Sequence, residues 1–105
     1  MGSHEYIDDP RNANVWISIN GDLVRRPEAK VSVLDAGFLL GDGIWEAFRL
    51  HDGVLVFLED HLDRLWHGAD AIALQIPLTR AELVAQIEAV VTANNMSDEV
   101  HIRLI

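Results

Sequence analysis

Hydrophobic and polar residues alternate in two short regions of the chain, and each region contains a two-residue turn signal. Residues 15–19, VWISI, are rich in β-branched and aromatic side chains and run into Asn20-Gly21 and a second apolar pair. Residues 44–50, IWEAFRL, alternate and are followed by Asp52-Gly53 and the apolar run VLVFL. Asn-Gly and Asp-Gly between such runs are typical of β-hairpins. The pattern predicts two hairpins, joined by residues 31–43, whose glycines and mixed periodicity predict an ordered loop.

Two later regions have the 3.6-residue period of amphipathic helices. The first begins near Asp60, gathers apolar side chains on one stripe and ends before Pro77. The second has Thr79 at the N-cap and Glu82 three residues later, which is the capping-box pattern. Residues 99–105, EVHIRLI, alternate and predict a last strand. This order predicts an α+β fold, an antiparallel sheet built from hairpins with two helices packed on one face.

Length and composition are those of one small domain. The chain has 105 residues, half of them hydrophobic, which suffices for one core. We assign residues 1–14 to a polar N-terminal segment and residues 15–105 to the folded domain. The last strand stops on the apolar Ile105 without a turn or a polar cap. Because such an end leaves a strand uncovered, we expect the protein to continue beyond this chain.

Charge and composition argue against binding of nucleic acid, membrane or metal. Eight basic and seventeen acidic residues give a formal net charge of −9, whereas a surface that follows nucleic-acid phosphates needs clustered positive charge. No apolar run resembles a signal peptide or reaches the length of a membrane span. We therefore expect a cytoplasmic protein that binds neither nucleic acid nor membrane. Cysteine is absent and the five histidines lack metal-ligand spacing, so we expect no metal site.

Arg64 lies on the first predicted helix, on the side opposite the apolar stripe. Its neighbours there are Gly68 and Ala71, where an exposed helix face usually carries long polar side chains. An ion pair with Asp60, four residues earlier, is one explanation of the arginine. It leaves Gly68 unexplained, because glycine in an exposed helix interior costs about 1 kcal/mol relative to alanine. Close approach of another body is the explanation that accounts for the glycine.

Glu46 lies in the second alternating run, on the same side as Phe48 and Leu50. If that side faces the core, a carboxylate is buried among apolar groups, which is costly unless it is paired or protonated. If the sheet is reversed, Trp45 and Arg49 face inward and Glu46 lies in water. The alternation alone is compatible with both orientations.

Three segments in this order carry a family resemblance. VSVLDAGFLLGDGIWEAFRL, EDHLDRL and EVHIRLI resemble the amino-terminal domain of the class IV (fold type IV) pyridoxal-phosphate aminotransferases. This group includes branched-chain and D-amino-acid aminotransferases and aminodeoxychorismate lyase. The resemblance covers residues 15–105, and only the combination of segments is specific. It implies the fold of the small domain of these enzymes, pyridoxal 5′-phosphate as cofactor, and amino transfer between an amino acid and a 2-oxo acid.

The resemblance assigns Arg64 and Glu46 to the cofactor. Arg64 matches the arginine that binds the cofactor phosphate in a cleft between two domains, and a planar, always charged guanidinium suits phosphate oxygens. Gly68 and Ala71 then leave space for the second domain. Glu46 matches an acid close to the reactive lysine, where it has a supporting catalytic role.

Four further residues are implied to contact the substrate. Leu40 and Trp45 line the pocket, and Arg103 with His101 lies near the substrate carboxylate. Two of them depart from the family pattern. Trp45 stands where the family commonly has Phe or Tyr, and His101 stands where branched-chain members have Tyr. Trp45 supplies no hydroxyl at its position, and we expect these departures to alter the substrate pocket.

The resemblance requires a lysine that forms a Schiff base with the cofactor. The only lysine of the chain, Lys30, precedes the glycine-bearing loop, whereas the family lysine comes from a second domain. We therefore expect the amino-terminal part of a homodimeric enzyme, with no transaminase activity by itself. The alternatives are an aminodeoxychorismate lyase-like enzyme and a stand-alone module for dimerisation or ligand binding.

Overall fold

A computed structural model describes residues 8–105, which contain five strands and three α-helices. The strands are β1 (Trp16–Ile19), β2 (Asp22–Arg25), β3 (Glu46–His51), β4 (Val54–Leu55) and β5 (Val100–Leu104). The helices are α1 (Ala36–Leu40), α2 (Leu58–Ala71) and α3 (Arg80–Ala93). The predicted α+β fold is confirmed. No helix of residues 8–105 is long and apolar enough to cross a lipid bilayer.

Both predicted hairpins are present. Asn20-Gly21 and Asp52-Gly53 have positive φ angles, between 47° and 85°, at both turn positions. Two successive left-handed residues are what the tight turn of a two-residue hairpin requires. The strands nevertheless form two sheets rather than one, β1-β2 and β4-β3-β5, and all pairs are antiparallel.

A side chain at the end of the third helix binds the outer edge of the first hairpin. Asn94 follows α3, and its Oδ1 accepts a hydrogen bond of 2.7 Å from the backbone N–H of Trp16. Its Nδ2 donates to the carbonyl of the same residue at 2.9 Å. The amide thus occupies the edge of β1 where a neighbouring strand would pair. An apolar groove of about 640 Å³ remains between β1, α3 and β5.

The segment predicted as an ordered loop contains the short helix α1, which is a difference from the prediction. Asp35 caps it, because its Oδ1 accepts hydrogen bonds from the backbone N–H groups of Gly37 and Phe38. Gly41, at φ 67°, ends it in the left-handed conformation. The pattern concealed this helix because its apolar side chains all face outward: Phe38 is 67% exposed and Leu40 is 79% exposed.

The two long helices agree closely with their predicted positions. α2 begins at Leu58, two residues before the expected start, after Phe57 in a left-handed conformation. α3 has the predicted capping box, in which Thr79 Oγ1 accepts from the N–H of Glu82 and the Glu82 carboxylate accepts from the N–H of Thr79. This reciprocal pair satisfies two backbone donors at the start of the helix.

The core lies between β3 and the two long helices. Glu46, Phe48 and Leu50 are buried on one face of β3, so the first of the two possible sheet orientations is the observed one. The register pairs Ala47 with Arg103 on the other face. The buried core cluster consists of Phe48, Leu62, Leu65, Leu83 and Ile87.

Residues 8–14 of the predicted polar segment are attached to the start of β5. Arg11 forms an ion pair of 3.1 Å with Asp9 and donates to the carbonyls of Asp98 and Glu99 at 3.3 and 3.0 Å. Residues 1–7 of that segment lie outside the described part of the chain. The hydrogen bonds of Arg11 therefore join residues 8–14 to the folded domain.

Candidate active site

Glu46 and Arg64 form the centre of the candidate site. Glu46 is the first residue of β3 and Arg64 lies in the middle of α2. Arg64 Nε donates to Glu46 Oε1 at 2.5 Å, and Nη2 donates to Oε2 at 2.8 Å. This two-point contact is the strong form of an arginine-carboxylate pair, because the planar fork fixes orientation as well as distance.

The two partners differ sharply in burial. The side chain of Glu46 is 3% exposed, whereas that of Arg64 is 69% exposed. The buried carboxylate of Glu46 thus holds one side of the guanidinium, and the other side is open to solvent. Among residues 8–105, its Nη1 amino group has no hydrogen-bond partner. The pair leaves a fixed cationic donor available to a ligand.

A histidine of α2, to which the sequence assigned no role, completes the cluster. His61 Nδ1 lies 2.8 Å from Glu46 Oε2. His61, Arg64 and Gly68 follow one another at helical spacings of three and four, so they lie along one side of α2. In the segment EDHLDRL, His61 precedes Arg64 by three residues, and this helical spacing is the sequence signal that places the two side chains together.

These contacts set the charge of the cluster. The hydrogen bond from Arg64 holds the pKa of Glu46 below its ordinary value, and the hydrogen bond from His61 acts in the same direction, while burial opposes both. The same bond to Glu46 raises the pKa of Arg64. Glu46 is consequently ionised and Arg64 is charged at neutral pH.

Arg64 borders an open hollow of about 450 Å³. Residues 43–46 form one wall, and Arg64, Leu65 and Gly68 of α2 form the other. A Cβ added to Gly68 would lie 3.4 Å from Ile44 Cγ2, an ordinary contact distance, so the glycine is not required for helix packing but keeps this part of the hollow free of a side chain. An ion pair between Arg64 and Asp60 is absent from residues 8–105, which removes the first explanation of this arginine.

The predicted substrate residues are only partly brought together. Trp45 lines the hollow, and the Arg103 guanidinium lies 4.8 Å from the centre of its ring. His101 is exposed two residues before Arg103 on β5, opposite Arg49. Trp45 therefore links the hollow at Arg64 to the open face of the sheet, which carries His101 and Arg103.

Leu40 and Lys30 lie elsewhere. Leu40 ends α1 with its side chain exposed, and it does not border the hollow. Lys30 is exposed and is also absent from the lining. The folded domain by itself therefore does not place Leu40 or Lys30 at the hollow.

One group of potential metal donors occurs within residues 8–105, and it lies away from this hollow. His51, Asp52 and Asp98 are all exposed. Asp98 Oδ1 accepts from the N–H of Asp52 at 2.9 Å and lies 3.1 Å from His51 Nδ1. These contacts tie the β3-β4 turn to the start of β5, which accounts for the cluster structurally.

Comparison with known proteins gives matches over most of the chain. The family described as amino-transferase class IV matches residues 43–105. A putative branched-chain-amino-acid aminotransferase of Methanocaldococcus jannaschii is 42% identical over 89 residues, which are 85% of this chain and 31% of that protein. A D-alanine aminotransferase of Listeria monocytogenes serotype 4b is 38% identical over 81 residues, 77% of this chain and 28% of its own length.

Solved structures give the same result. The branched-chain aminotransferase of Thermoproteus uzoniensis, solved with norvaline, aligns with a TM-score of 0.77 and 32% identity over 86% of this chain and 32% of that one. A second branched-chain amino acid aminotransferase, solved in complex with N-(5′-phosphopyridoxyl)-L-glutamate, aligns with the same TM-score and 29% identity over 86% of this chain and 31% of that one. The chain thus spans about a third of the length of these relatives. It belongs to the class IV aminotransferase family.

Proposed function

We propose that this chain is the cofactor-phosphate-binding part of a pyridoxal 5′-phosphate-dependent aminotransferase, which transfers an amino group between an amino acid and a 2-oxo acid. The observation that carries the proposal is the Arg64 guanidinium, exposed at an open hollow and fixed by a buried carboxylate. A guanidinium with free N–H groups in a defined orientation is suited to phosphate oxygens.

The residues present fit the phosphate of this cofactor. Arg64 is an exposed cation with a free Nη1 group, and its fixation by a buried carboxylate at a hollow distinguishes it from the other exposed cations of the chain as a place for an anion. Gly43 and Gly68, on opposite walls of the hollow, leave room for a group larger than water. When bound, pyridoxal phosphate supplies an electron sink that labilises bonds at the substrate α-carbon.

The side chains of this domain then divide the remaining tasks. Arg64 binds the phosphate, and Glu46 holds Arg64 in orientation. Trp45 forms a wall of the hollow, and Arg103 with His101 receives a substrate carboxylate on the open face of the sheet. These roles for the substrate residues are supported by the contact between Trp45 and Arg103.

We further propose that the lysine of the reaction comes from a second domain. The exposed Lys30 lies away from the hollow and is the only lysine of the chain. Residues 1–105, purified and mixed with pyridoxal phosphate and an amino donor, are therefore expected to form no keto acid. Sustained keto-acid formation by this chain alone would contradict that assignment. A cytoplasmic location stays a prediction of the composition.

We propose that the protein is a homodimer and that the segment around α1 forms the contact. This segment exposes several large apolar side chains close together, and such patches mark interaction sites. They are Val31, Val33, Leu34, Phe38, Leu39 and Leu40, each between 57% and 79% exposed. Leu40 then reaches the site of the partner subunit rather than its own.

Light scattering of the full-length protein tests the dimer. Phe38→Asp is expected to shift the protein towards the monomer, because it places a charge in the apolar patch. Phe57→Asp is the matched control, since Phe57 is similarly exposed, at 72%, but lies outside the patch. A wild-type protein that is strictly monomeric at high concentration, or a Phe38→Asp variant that dimerises unchanged, would contradict the assignment.

Cofactor binding tests the central role of Arg64. In the full-length protein, we expect Arg64→Met to weaken the binding of pyridoxal phosphate about 10- to 100-fold, which is the range for the loss of a charge-assisted hydrogen bond. Its affinity for pyridoxal, which lacks the phosphate, should change little. Arg80→Met is the matched control, because Arg80 also pairs with carboxylates of α2 but does not line the hollow. The phosphate-binding role of Arg64 would be refuted if Arg64→Met weakened the binding of pyridoxal phosphate and pyridoxal equally. It would also be refuted if Arg80→Met lost as much affinity for pyridoxal phosphate as Arg64→Met.

A further inference from the structure

We propose that His61 is a positioning residue that acts through Glu46 to hold the Arg64 guanidinium in its phosphate-binding orientation. The inference rests on the proposed function of Arg64 and assigns a role to a residue outside the substrate and cofactor contacts described above.

The contacts form a chain from His61 to Arg64. His61 Nδ1 and Arg64 Nη2 both lie 2.8 Å from the same oxygen, Glu46 Oε2. Both side chains come from α2, three residues apart, and Glu46 comes from β3. The carboxylate is thus clamped between two side chains of one helix, and its rotation is fixed at both oxygens.

Arg64 depends on this clamp more than a typical surface arginine does. Within residues 8–105, Glu46 is its only hydrogen-bond partner, and most of its side chain is exposed. Within residues 8–105, no other hydrogen bond or ion pair fixes the direction of the guanidinium. A carboxylate that is free to rotate would therefore let the guanidinium move as well.

The ionisation of Glu46 determines the tautomer of His61. Because an ionised carboxylate only accepts hydrogen bonds, Nδ1 of His61 must carry the proton in their contact. The imidazole ring also packs on Phe48, with ring centres 5.4 Å apart, and its side chain is 22% exposed. The ring is therefore held by packing on one side and by a directed N–H···O bond on the other.

Two substitutions of similar size test whether the hydrogen bond from His61 to Glu46 is needed, or only a side chain that fills the position of His61. The amide nitrogen of an asparagine side chain can take the place of Nδ1, whereas that of a glutamine side chain reaches the place of Nε2. His61→Asn should therefore keep the donor to Glu46, and His61→Gln should lose it. The matched pair is measured in the full-length protein, with pyridoxal phosphate and pyridoxal as probes.

We expect His61→Gln to weaken the binding of pyridoxal phosphate about tenfold, as for the loss of one hydrogen bond to a charged group. The affinity for pyridoxal should stay within about twofold of the wild-type value. His61→Asn should bind both ligands within about threefold of the wild type. Equal weakening of both ligands by His61→Gln, no weakening at all, or a loss in His61→Asn as large as in His61→Gln would overturn the proposal.

Nitrogen-15 NMR of the histidine side chains provides a readout that does not depend on cofactor. The wild-type His61 signal should show a protonated Nδ1, and Glu46→Gln should alter it. A His61 ring protonated only at Nε2 in the wild type would overturn the proposal. Failure of the Arg64 role is distinguishable, since Arg64→Met would then show no preference for the ligand lacking phosphate, whatever the His61 variants do.

Discussion

Two arginines that pair with carboxylates show how the burial of the partner separates a surface ion pair from a site. Arg80 lies 2.6 Å from Asp63 and 3.9 Å from Glu59, and these carboxylates are 66% and 80% exposed. Arg64 pairs instead with Glu46, which is 3% exposed. Asp63 and Arg64 are consecutive on α2, so the same turn of helix carries both kinds of pair.

The exposed pair joins two helices and has little further consequence. Arg80 also lies over the ring of Trp66, at 5.3 Å, so it closes the surface between α2 and α3. Pairs of this kind in water stabilise by less than about 1 kcal/mol. The buried carboxylate is different, because it must be paired, and its partners are held in fixed positions as a result.

Glu46→Gln is expected to have the largest effect on stability and cofactor affinity. Asp63→Asn is the corresponding substitution at the exposed pair. Glu46→Gln should lower the free energy of unfolding by about 1–3 kcal/mol at pH 7, because it removes a buried acceptor from charged and polar donors. It should also weaken pyridoxal phosphate about tenfold or more, since Arg64 loses its orientation. Asp63→Asn should change stability by less than about 1 kcal/mol and leave cofactor affinity unchanged.

Denaturant unfolding and cofactor titration of the two full-length variants measure these effects. Equal losses of stability in the two variants would contradict the distinction between the pairs.

The pH dependence of stability sharpens the same comparison. The folded-state pKa of Glu46 lies below its ordinary value of 4.5, so its pairing stabilises the fold fully above that pH. The contribution is lost as pH falls through the lowered value, because protonation in the unfolded chain comes first. The stability difference between the wild type and Glu46→Gln should therefore shrink as pH falls from 7 to values below 4.5. A difference that stays constant or grows on acidification would show that Glu46 is not stabilised as the carboxylate.

Gly68 tests whether the open side of Arg64 is a ligand site. Gly68→Asp places a negative charge in the hollow and should weaken pyridoxal phosphate about tenfold by repulsion of the phosphate. Gly68→Ala is the control and should stabilise α2 by up to about 1 kcal/mol, since its Cβ meets Ile44 at an ordinary contact distance. Unchanged cofactor affinity in Gly68→Asp would place the phosphate elsewhere.

A double-mutant cycle of Arg80→Met and Asp63→Asn is expected to give the smallest effect. The coupling free energy should be about 0.2–1 kcal/mol, as for other exposed pairs. It should also fall as salt is added, because exposed charges are screened. A coupling well above about 1 kcal/mol would mean that exposure does not distinguish this pair from that of Arg64.

The fold was predictable where its signals are local. Asn20-Gly21 and Asp52-Gly53 specify their hairpins, and Thr79 with Glu82 specifies the start of α3, because neighbouring residues supply every hydrogen bond involved. The short helix α1 was missed because its apolar side chains face outward, so the pattern lacks the buried stripe that marks a helix. The separation of the two sheets has no local signal, and the side chain bound to the edge of β1, Asn94, lies 78 positions from its partner Trp16.

The site was predictable only in part for the same reason. Family resemblance pointed to Arg64 and Glu46, but alternation alone left the orientation of Glu46 undecided. Its burial depends on α2 packing against β3, a contact between residues 18 apart. The part played by His61 followed only when Glu46 Oε2 was seen between two side chains of α2.

The most direct test of the central claim is a crystal structure of the full-length protein with pyridoxal phosphate. We expect a phosphate oxygen within about 3 Å of an Arg64 guanidinium nitrogen, with the contact between Arg64 and Glu46 retained. A cofactor phosphate bound by other residues, with Arg64 still facing solvent, would contradict the role of Arg64.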